Sequence, residues 1–413
     1  MVPGMREENS FDQLADRCRR DFPLLNQVVD GRQVVYLDSA ATSLTPEQVI
    51  AEIRRFYTEV GANVHRGKHY LSEQASNDLE EVRGKVARLT GFRSNEVIFT
   101  ANCTASVNIV ATGLRLNRED VVLIPVDSHH SAMLPWLNCA KVIHIPVDAT
   151  GAVDMERYQR LLFETAPKVV VINHCSNVSG MYAPVHEMAR LAKEKGVITV
   201  IDAAQSIGHR PVVSEAFDFV VFSAHKMLGP TGLGLLCGRY EHLKALQPAT
   251  FGGGMVDWVD LDHFVVRKLP YALEAGTPNI AGVYGLGAAI DYLTGIGFDA
   301  VAAHDQAFGA ALVRETYGRP SLRVLGPDEH ADRGGILSLT IDGVHNLKQV
   351  AQIMSDAHGV MCRTGHMCAQ PFIDQHTADE VLRISGYVYN GSSDIKAVFS
   401  ALDATLDAIG VGV

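Results

Sequence analysis

No run of this chain approaches the roughly 18 consecutive apolar residues that span a membrane. Its opening segment, MVPGMREENSFDQLADRCRR, lacks the apolar centre of a signal peptide. A cytoplasmic protein with no membrane partner is the expectation. Charge of one sign is never gathered into blocks: 36 Lys and Arg are interleaved with 47 Asp and Glu, for a net charge of −11. That removes the basic footprint needed to hold nucleic acid or anionic lipid and leaves a small molecule as the expected partner. The chain also lacks any CxxC pair. Its seven cysteines (Cys18, Cys103, Cys139, Cys175, Cys237, Cys362 and Cys368) therefore suggest neither a zinc framework nor a disulfide scaffold, but reduced, mostly buried thiols of which one or two could react. Internal repeats and low-complexity stretches are missing too.

What is present fits a soluble α/β enzyme. A length of 413 residues exceeds what one core usually supports, so a large and a small domain are expected, and 47% hydrophobic with 20% charged residues is an ordinary composition for that class. Short β-branched runs recur: VVYL (34–37), EVIFT (96–100), VVLIPV (121–126), KVIHIPV (141–147), KVVVINH (168–174), VITVID (197–202), FVVFS (219–223) and GLLC (234–237). Most read as strands buried on both faces, hence a largely parallel sheet. Amphipathic segments at 46–60, 77–90 and 184–196 alternate with them, which predicts a doubly wound domain. Beyond about residue 296 the pattern changes to two long helical stretches, 298–315 and 391–408, around shorter strands such as GILSLTI (335–341), read as a smaller α+β domain.

In open α/β sheets ligands gather beyond the carboxyl ends of the strands, so polar residues just after strands are the first candidates. Ser128, His129 and His130 follow 121–126, Asn177 follows 168–174, Asp202 and Gln205 end 197–202, and Ser223, His225 and Lys226 end 219–223. Asp202 and Lys226 could form a structural ion pair. They could equally serve pyridoxal phosphate, which needs a lysine for a Schiff base, an acid to keep the pyridine nitrogen protonated, and donors for its phosphate.

The ordered set YLDSAATS (36–43), NVHRGKHYLS (63–72), SHHSAMLPW (128–136), HCSNVSG (174–180), DAAQSIGH (202–209), FSAHKMLGPTGLG (222–234), FGGGM (251–255), EAGTPN (274–279), RTGHMCAQP (363–371) and RISGYVYN (383–390) resembles the fold-type I, class V aminotransferase-like enzymes. Within them it is most similar to the SUF-type (group II) cysteine desulfurases and the related selenocysteine lyases. The resemblance covers nearly the whole chain from about residue 20. It implies an α/β large domain with a mainly parallel seven-stranded sheet over 26–295, a smaller α+β domain over 296–413 carrying the cysteine loop, and an N-terminal segment, 1–25, associated with the small domain.

The resemblance also implies roles. Lys226 would hold pyridoxal 5'-phosphate and move protons, Asp202 would pair with the pyridine nitrogen, Gln205 would bond the phenolic oxygen, and His129 would stack on the ring. Cys103, Thr104, Ser223 and His225 would bind phosphate, helped by Thr277 from the partner of a homodimer. Asn177 and Arg383 would hold the substrate carboxylate, with His65 and Arg363 lining the pocket. Cys368, near arginines and a histidine in surroundings that favour the thiolate, would take the sulfur of L-cysteine as a persulfide while L-alanine leaves. An acceptor protein or small thiol would then receive that sulfur, for iron–sulfur cluster assembly or other products. L-selenocysteine as substrate, another carbon–sulfur lyase or an epimerase are the alternatives, and a non-catalytic cofactor-binding regulator is a third class.

Two departures stand out. The family's HHC is HMC here, with Met367 beside the nucleophile, and its GTTE is NCTA (102–105), with Asn102 for glycine and Ala105 for the acid. Cys362 reads as a packing residue, with a sulfur relay as the alternative. Cys362, His366 and Cys368 match no standard metal-site spacing, so no metal is expected.

Overall fold

The computed structural model describes residues 4–377 and 380–411, with side chains from Phe11 onward. Seven strands, β1 (Val97–Thr100), β2 (Val121–Pro125), β3 (Lys141–Ile145), β4 (Val169–Asn173), β5 (Ile198–Asp202), β6 (Phe219–Ser223) and β7 (Gly234–Gly238), form one sheet in the order β1-β7-β6-β5-β4-β2-β3. All neighbours are parallel except where β7 runs against β1 and β6. Strands β4, β6 and β7 are buried along their whole length, as their unbroken apolar runs require of a sheet covered on both faces.

Register aligns the functional ends. Asn173 of β4 sits opposite Asp202 of β5, and Asp202 opposite Val221 of β6, so these strands finish along one edge. The helices Glu47–Arg55, Tyr70–Thr90 and Val185–Glu194 fall on the predicted segments, and the second begins seven residues before its predicted start. His69 explains the earlier start, since its side chain accepts a hydrogen bond from the Ser72 N–H and caps the helix.

One core helix, Ile280–Ile296, gave no sequence signal. Its glycines depress helix propensity, yet they are what lets it pack. A Cβ on Gly285 would lie 2.8 Å from Ile53 Cγ1, and one on Gly287 2.6 Å from Val82 Cγ2. Close approach of three helices here depends on the missing side chains. Among the described residues no single helix is long and apolar enough to cross a membrane.

A second, antiparallel sheet holds β8 (Leu322–Leu325), β9 (Ile336–Ile341), β10 (Arg363–Gly365) and β11 (Val381–Ser385) in the order β8-β9-β11-β10. Its apolar cluster is separate from the one beneath the large sheet and takes in Phe11 from the N-terminal helix. The sequence placed VVYL (34–37) with the strands of the large sheet. Instead Val35–Tyr36 pairs with Val360–Met361, and Leu37 joins the second cluster. A two-residue parallel bridge was enough to satisfy this segment, whose Val35 and Leu37 face the smaller core while Tyr36 packs on the larger one.

The junction of the two sheets buries titratable groups. His174 Nδ1 lies 2.8 Å from Ser206 Oγ, and His304 Nε2 lies 3.0 Å from the Asn390 carbonyl. Burial pushes both imidazoles down, His174 to about 3 and His304 to about 4.

These rings are neutral when folded but protonate near 6.5 once unfolded, so the unfolded chain binds more protons below that pH and stability falls as pH drops towards about 4. Buried Asp127, raised by burial to about 6, acts in the opposite sense with a smaller shift. A thermal melt at about pH 5 should therefore give a lower midpoint than one at about pH 7 at equal ionic strength. An equal or higher midpoint at the lower pH would contradict the neutral assignment of these rings.

Candidate active site

The aligned strand ends open onto a pocket of about 310 Å³. Lys226 enters it from the short turn Ala224–Lys226 that directly follows β6. Burial holds its amine below the ordinary lysine range, with Asp202 opposing the shift and Arg383 adding to it. The free-base form needed for attack on a carbonyl carbon is thereby made accessible. Asp202, 5% exposed, closes β5, and its Oδ1 accepts the Ala204 N–H at 3.0 Å and faces the Cys103 thiol at 3.7 Å. Burial raises its carboxyl, while the Ala204 N–H and Lys226 act against that shift.

His129 is fixed by its own backbone. It caps the helix His130–Cys139, with Nδ1 accepting the Ser131 N–H at 3.0 Å, which leaves Nε2 as the protonated nitrogen. Burial, then Lys226, pushes its pKa down to about 4, so a neutral ring faces the pocket. Gln205 Nε2 donates one hydrogen to the Ala40 carbonyl at 2.7 Å, which leaves its second N–H for a ligand.

The helix Cys103–Gly113 points its N-terminus at the same space. Asn102 caps it by accepting the Ala105 N–H at 2.9 Å, and the Cys103 N–H bonds Ser223 Oγ at 2.8 Å. Thr104 Oγ1 donates to Ser131 Oγ at 2.8 Å. Positive helix-end potential, a serine hydroxyl and a threonine make this end a cradle for an anion. The NCTA departure thus has a local reason: asparagine is a strong N-cap. Gly234 beneath it must remain glycine, since a Cβ there would lie 2.3 Å from the Asn102 carbonyl carbon.

The opposite wall comes from the second sheet. Arg383, 2% exposed, lies on β11, with Nη2 donating to Asp38 Oδ1 at 2.9 Å and Nη1 to the Asn177 carbonyl at 3.0 Å. Its Nε and Asn177 Oδ1 are buried without partners. An uncompensated donor on a buried cation at a pocket wall fits an incoming carboxylate. Arg363 of β10 and the exposed Cys368 complete the rim.

The Cys368 loop carries a distinctive backbone. Met367 and Cys368 are consecutive non-glycine residues with φ of +49° and +57°, a conformation that costs on the order of 1–2 kcal/mol per residue. Asn177 Nδ2 donates to the Met367 carbonyl at 2.7 Å, and the His130 N–H to the Cys368 carbonyl at 2.7 Å. Met367 itself, 5% exposed, sinks into an apolar cluster with Val126, Val178, Phe372 and Val381. Cys362 faces the core of the second sheet, where burial pushes its thiol up to about 12, as a packing residue requires.

Of the fourteen residues named from the sequence, twelve line this one pocket, and His65 and Thr277 do not. Those two line a separate opening of about 230 Å³ with Arg66 and Arg267. The expectation that His65 lines the Lys226 pocket does not hold within one chain. The segment bearing it packs on the Tyr70–Thr90 helix through a bond from the His65 N–H to Ser76 Oγ, and its ring packs edge-on against Tyr271. Sequence reasoning missed Asp38 and Ser131 as participants. Asp38 directly follows a strand candidate, the same signal that found Asp202. Among the described residues no group of three or more His, Cys, Asp or Glu could hold a metal ion.

The edge of this open α/β sheet brings a half-buried lysine and a buried aspartate beside a helix N-terminus that suits an anion. The aminotransferase class-V pattern matches residues 35–398, and the chain belongs to that family. It is 37% identical to a protein named probable cysteine desulfurase from Halalkalibacterium halodurans over 96% of this chain and 99% of that one. A cysteine desulfurase of Haloferax volcanii is also 37% identical, over 97% and 99%. Among solved structures, the apo cysteine desulfurase of Thermococcus onnurineus superposes with a TM-score of 0.88 at 34% identity, covering 95% of this chain and 98% of that one. An Escherichia coli cysteine desulfurase bearing an S-sulfonic acid superposes at 0.86 with 31% identity, over 95% and 98%.

Asp38→Ala would leave the buried Arg383 cation without its counter-charge, which costs about 3 kcal/mol or more. The expected outcome is a matching drop in the urea unfolding free energy. A loss below about 0.5 kcal/mol, the range of ordinary surface changes, would show that Arg383 does not depend on this pair.

Proposed function

We propose that this protein is a pyridoxal 5'-phosphate-dependent cysteine desulfurase that converts L-cysteine to L-alanine and takes the sulfur on Cys368. The observation that carries this reading is that the exposed Cys368 thiol, the recessed Lys226 amine and the half-satisfied Arg383 guanidinium share one pocket. When bound, pyridoxal phosphate supplies an electron sink next to the substrate's Cα.

The chain's residues do the rest. Lys226 would hold the cofactor, and its amine, when free, would take the proton from the substrate's Cα and return it. Asp202 would keep a proton on the pyridine nitrogen, His129 would cover the ring face with a neutral imidazole, and Gln205, one of whose two Nε2 hydrogens is held by the Ala40 carbonyl, would donate the other to the phenolic oxygen. The Cys103–Gly113 helix end, with Thr104, Ser223 and His225, neutralises the phosphate. Arg383 Nε and Asn177 hold the substrate carboxylate, with Arg363 at the rim.

The reacting atoms balance without an outside oxidant. The Cβ–Sγ bond of cysteine breaks, an S–S bond to Cys368 forms, and Cβ gains the hydrogen that the two thiols give up. The substrate carbon is reduced and the Cys368 sulfur oxidised to a persulfide, which an acceptor protein or small thiol then relieves.

A homodimer belongs to the same reading. His65 and Thr277 share an opening apart from Lys226 and are available to a neighbouring copy's pocket. The hairpin from Val256 to Val266 exposes Trp258, Val259, Leu261 and Phe264, each by more than half, an apolar surface suited to burial against a second subunit. A division into a cofactor-binding domain over 26–295 and a cysteine-bearing domain over 296–413 is supported by the two separate apolar clusters, with Val35–Leu37 crossing to the second. A cytoplasmic location suits a chain whose thiols are all free.

Intact mass of the cofactor-loaded protein before and after L-cysteine tests the proposal. One added sulfur, mapped to Cys368, should appear together with alanine, and Cys368→Ser should abolish the adduct. Lys226→Ala should lose the visible absorbance of lysine-linked cofactor. Bound cofactor with neither adduct nor alanine would overturn the assignment in favour of a relative acting on another substrate.

A further inference from the structure

Asn177 enters the proposed function as a ligand of the substrate carboxylate, but its hydrogen bonds commit it elsewhere as well. A side-chain amide has two N–H donors and one carbonyl acceptor. One donor is already spent across the joint between the two sheets, on the Met367 carbonyl at 2.7 Å, while Oδ1 is buried without a partner. The backbone carbonyl of the same residue takes Arg383 Nη1 at 3.0 Å. One residue of the loop after β4 therefore touches both the carboxylate-facing arginine and the segment that carries the reacting thiol.

That segment needs an external hold. Met367 and Cys368 both lie in the left-handed region, at φ +49° and +57°, where side chains other than glycine are disfavoured. Such a conformation persists only if its surroundings over-determine it. Three holds are visible: the Asn177 amide on the Met367 carbonyl, the His130 N–H on the Cys368 carbonyl, and the Met367 side chain in its apolar seat. The second is a backbone contact of the helix His130–Cys139, so the first and third are the side-chain holds on the segment that carries the thiol.

We propose that Asn177 is a positioning residue for Cys368, with Met367 as its apolar counterpart, so that the loop binding the substrate carboxylate also sets the placement of the sulfur-accepting thiol. This rests on the desulfurase reading for its kinetic consequence, though not for its structural one. The histidine-to-methionine departure then has a purpose in this chain: a side chain without a polar end can be buried completely under a strained turn.

Two readouts test it on the cofactor-loaded protein. The first is amide hydrogen exchange of the segment 366–369, which is independent of any reaction. Asn177→Ala and Met367→Ala should each speed exchange there by about tenfold or more, with the large sheet unchanged.

The second compares L-cysteine with 3-chloro-L-alanine, whose chloride departs without a thiol acceptor. A misplaced thiol should lower the ratio of cysteine kcat to 3-chloroalanine kcat by about tenfold or more in both variants, since small displacements of reacting groups cost that much. Unchanged exchange at 366–369 in Asn177→Ala would overturn the proposal. So would an equal loss with the two substrates, which marks carboxylate binding alone. A wild-type protein inert to cysteine would instead defeat the functional reading, and the exchange result would still decide the structural claim.

Discussion

The structure depends on placing a lysine and an aspartate at the edge of a sheet whose central strands are mostly apolar. Taking an amine and a carboxyl out of water is costly unless charge and hydrogen bonds compensate. Here compensation is partial by arrangement: Asp202 has one backbone N–H and a thiol, and Lys226 has Asp202 across the pocket and two arginines against it. A site left short of partners has affinity for a ligand that supplies them. The ordered strand register is what makes the shortage possible, since it brings Asn173 and Asp202 to one level and hands Ser223 and Lys226 to the same edge.

The second constraint is the joint between the two sheets. The segment after Tyr36 threads it: the Ser39 N–H bonds the Ser385 carbonyl at 3.1 Å, the Ala40 N–H bonds Ser385 Oγ at 3.0 Å, and Gln205 reaches the Ala40 carbonyl. Asp38 in the same segment balances Arg383. Each half alone would hold an incomplete pocket, the Lys226 edge without Cys368 or Cys368 without the Lys226 edge. The joint is accordingly dense in buried polar contacts, the His174–Ser206 and His304–Asn390 bonds among them.

Much of the site was legible because parallel strands deliver polar residues to one edge, and a reader of the sequence can look there. Asp202, Ser223 and Lys226 follow β-branched runs, and nothing else in the chain offers the same sequence of residue types. Cys368 was legible through resemblance and not through its own surroundings. His65 lines an opening apart from the Lys226 pocket of its own chain, because its motif fixes residue type and order but not which opening the side chain faces. The Ile280–Ile296 helix was invisible because glycine reads as a breaker locally, while close helix packing rewards it.

By itself the sequence determined the alternation of buried strands and amphipathic helices, the edge where chemistry collects, and the candidacy of the lysine and aspartate that end there. These follow from local periodicity and residue chemistry, which need no knowledge of distant partners. The tertiary structure alone decided that Val35–Tyr36 pairs with Val360–Met361 outside the seven-stranded sheet, that Asp38 answers Arg383, and that Asn177 reaches across 190 positions to the Met367 carbonyl. Such pairings are settled by how two cores close on each other, and no local pattern in the chain encodes that closure.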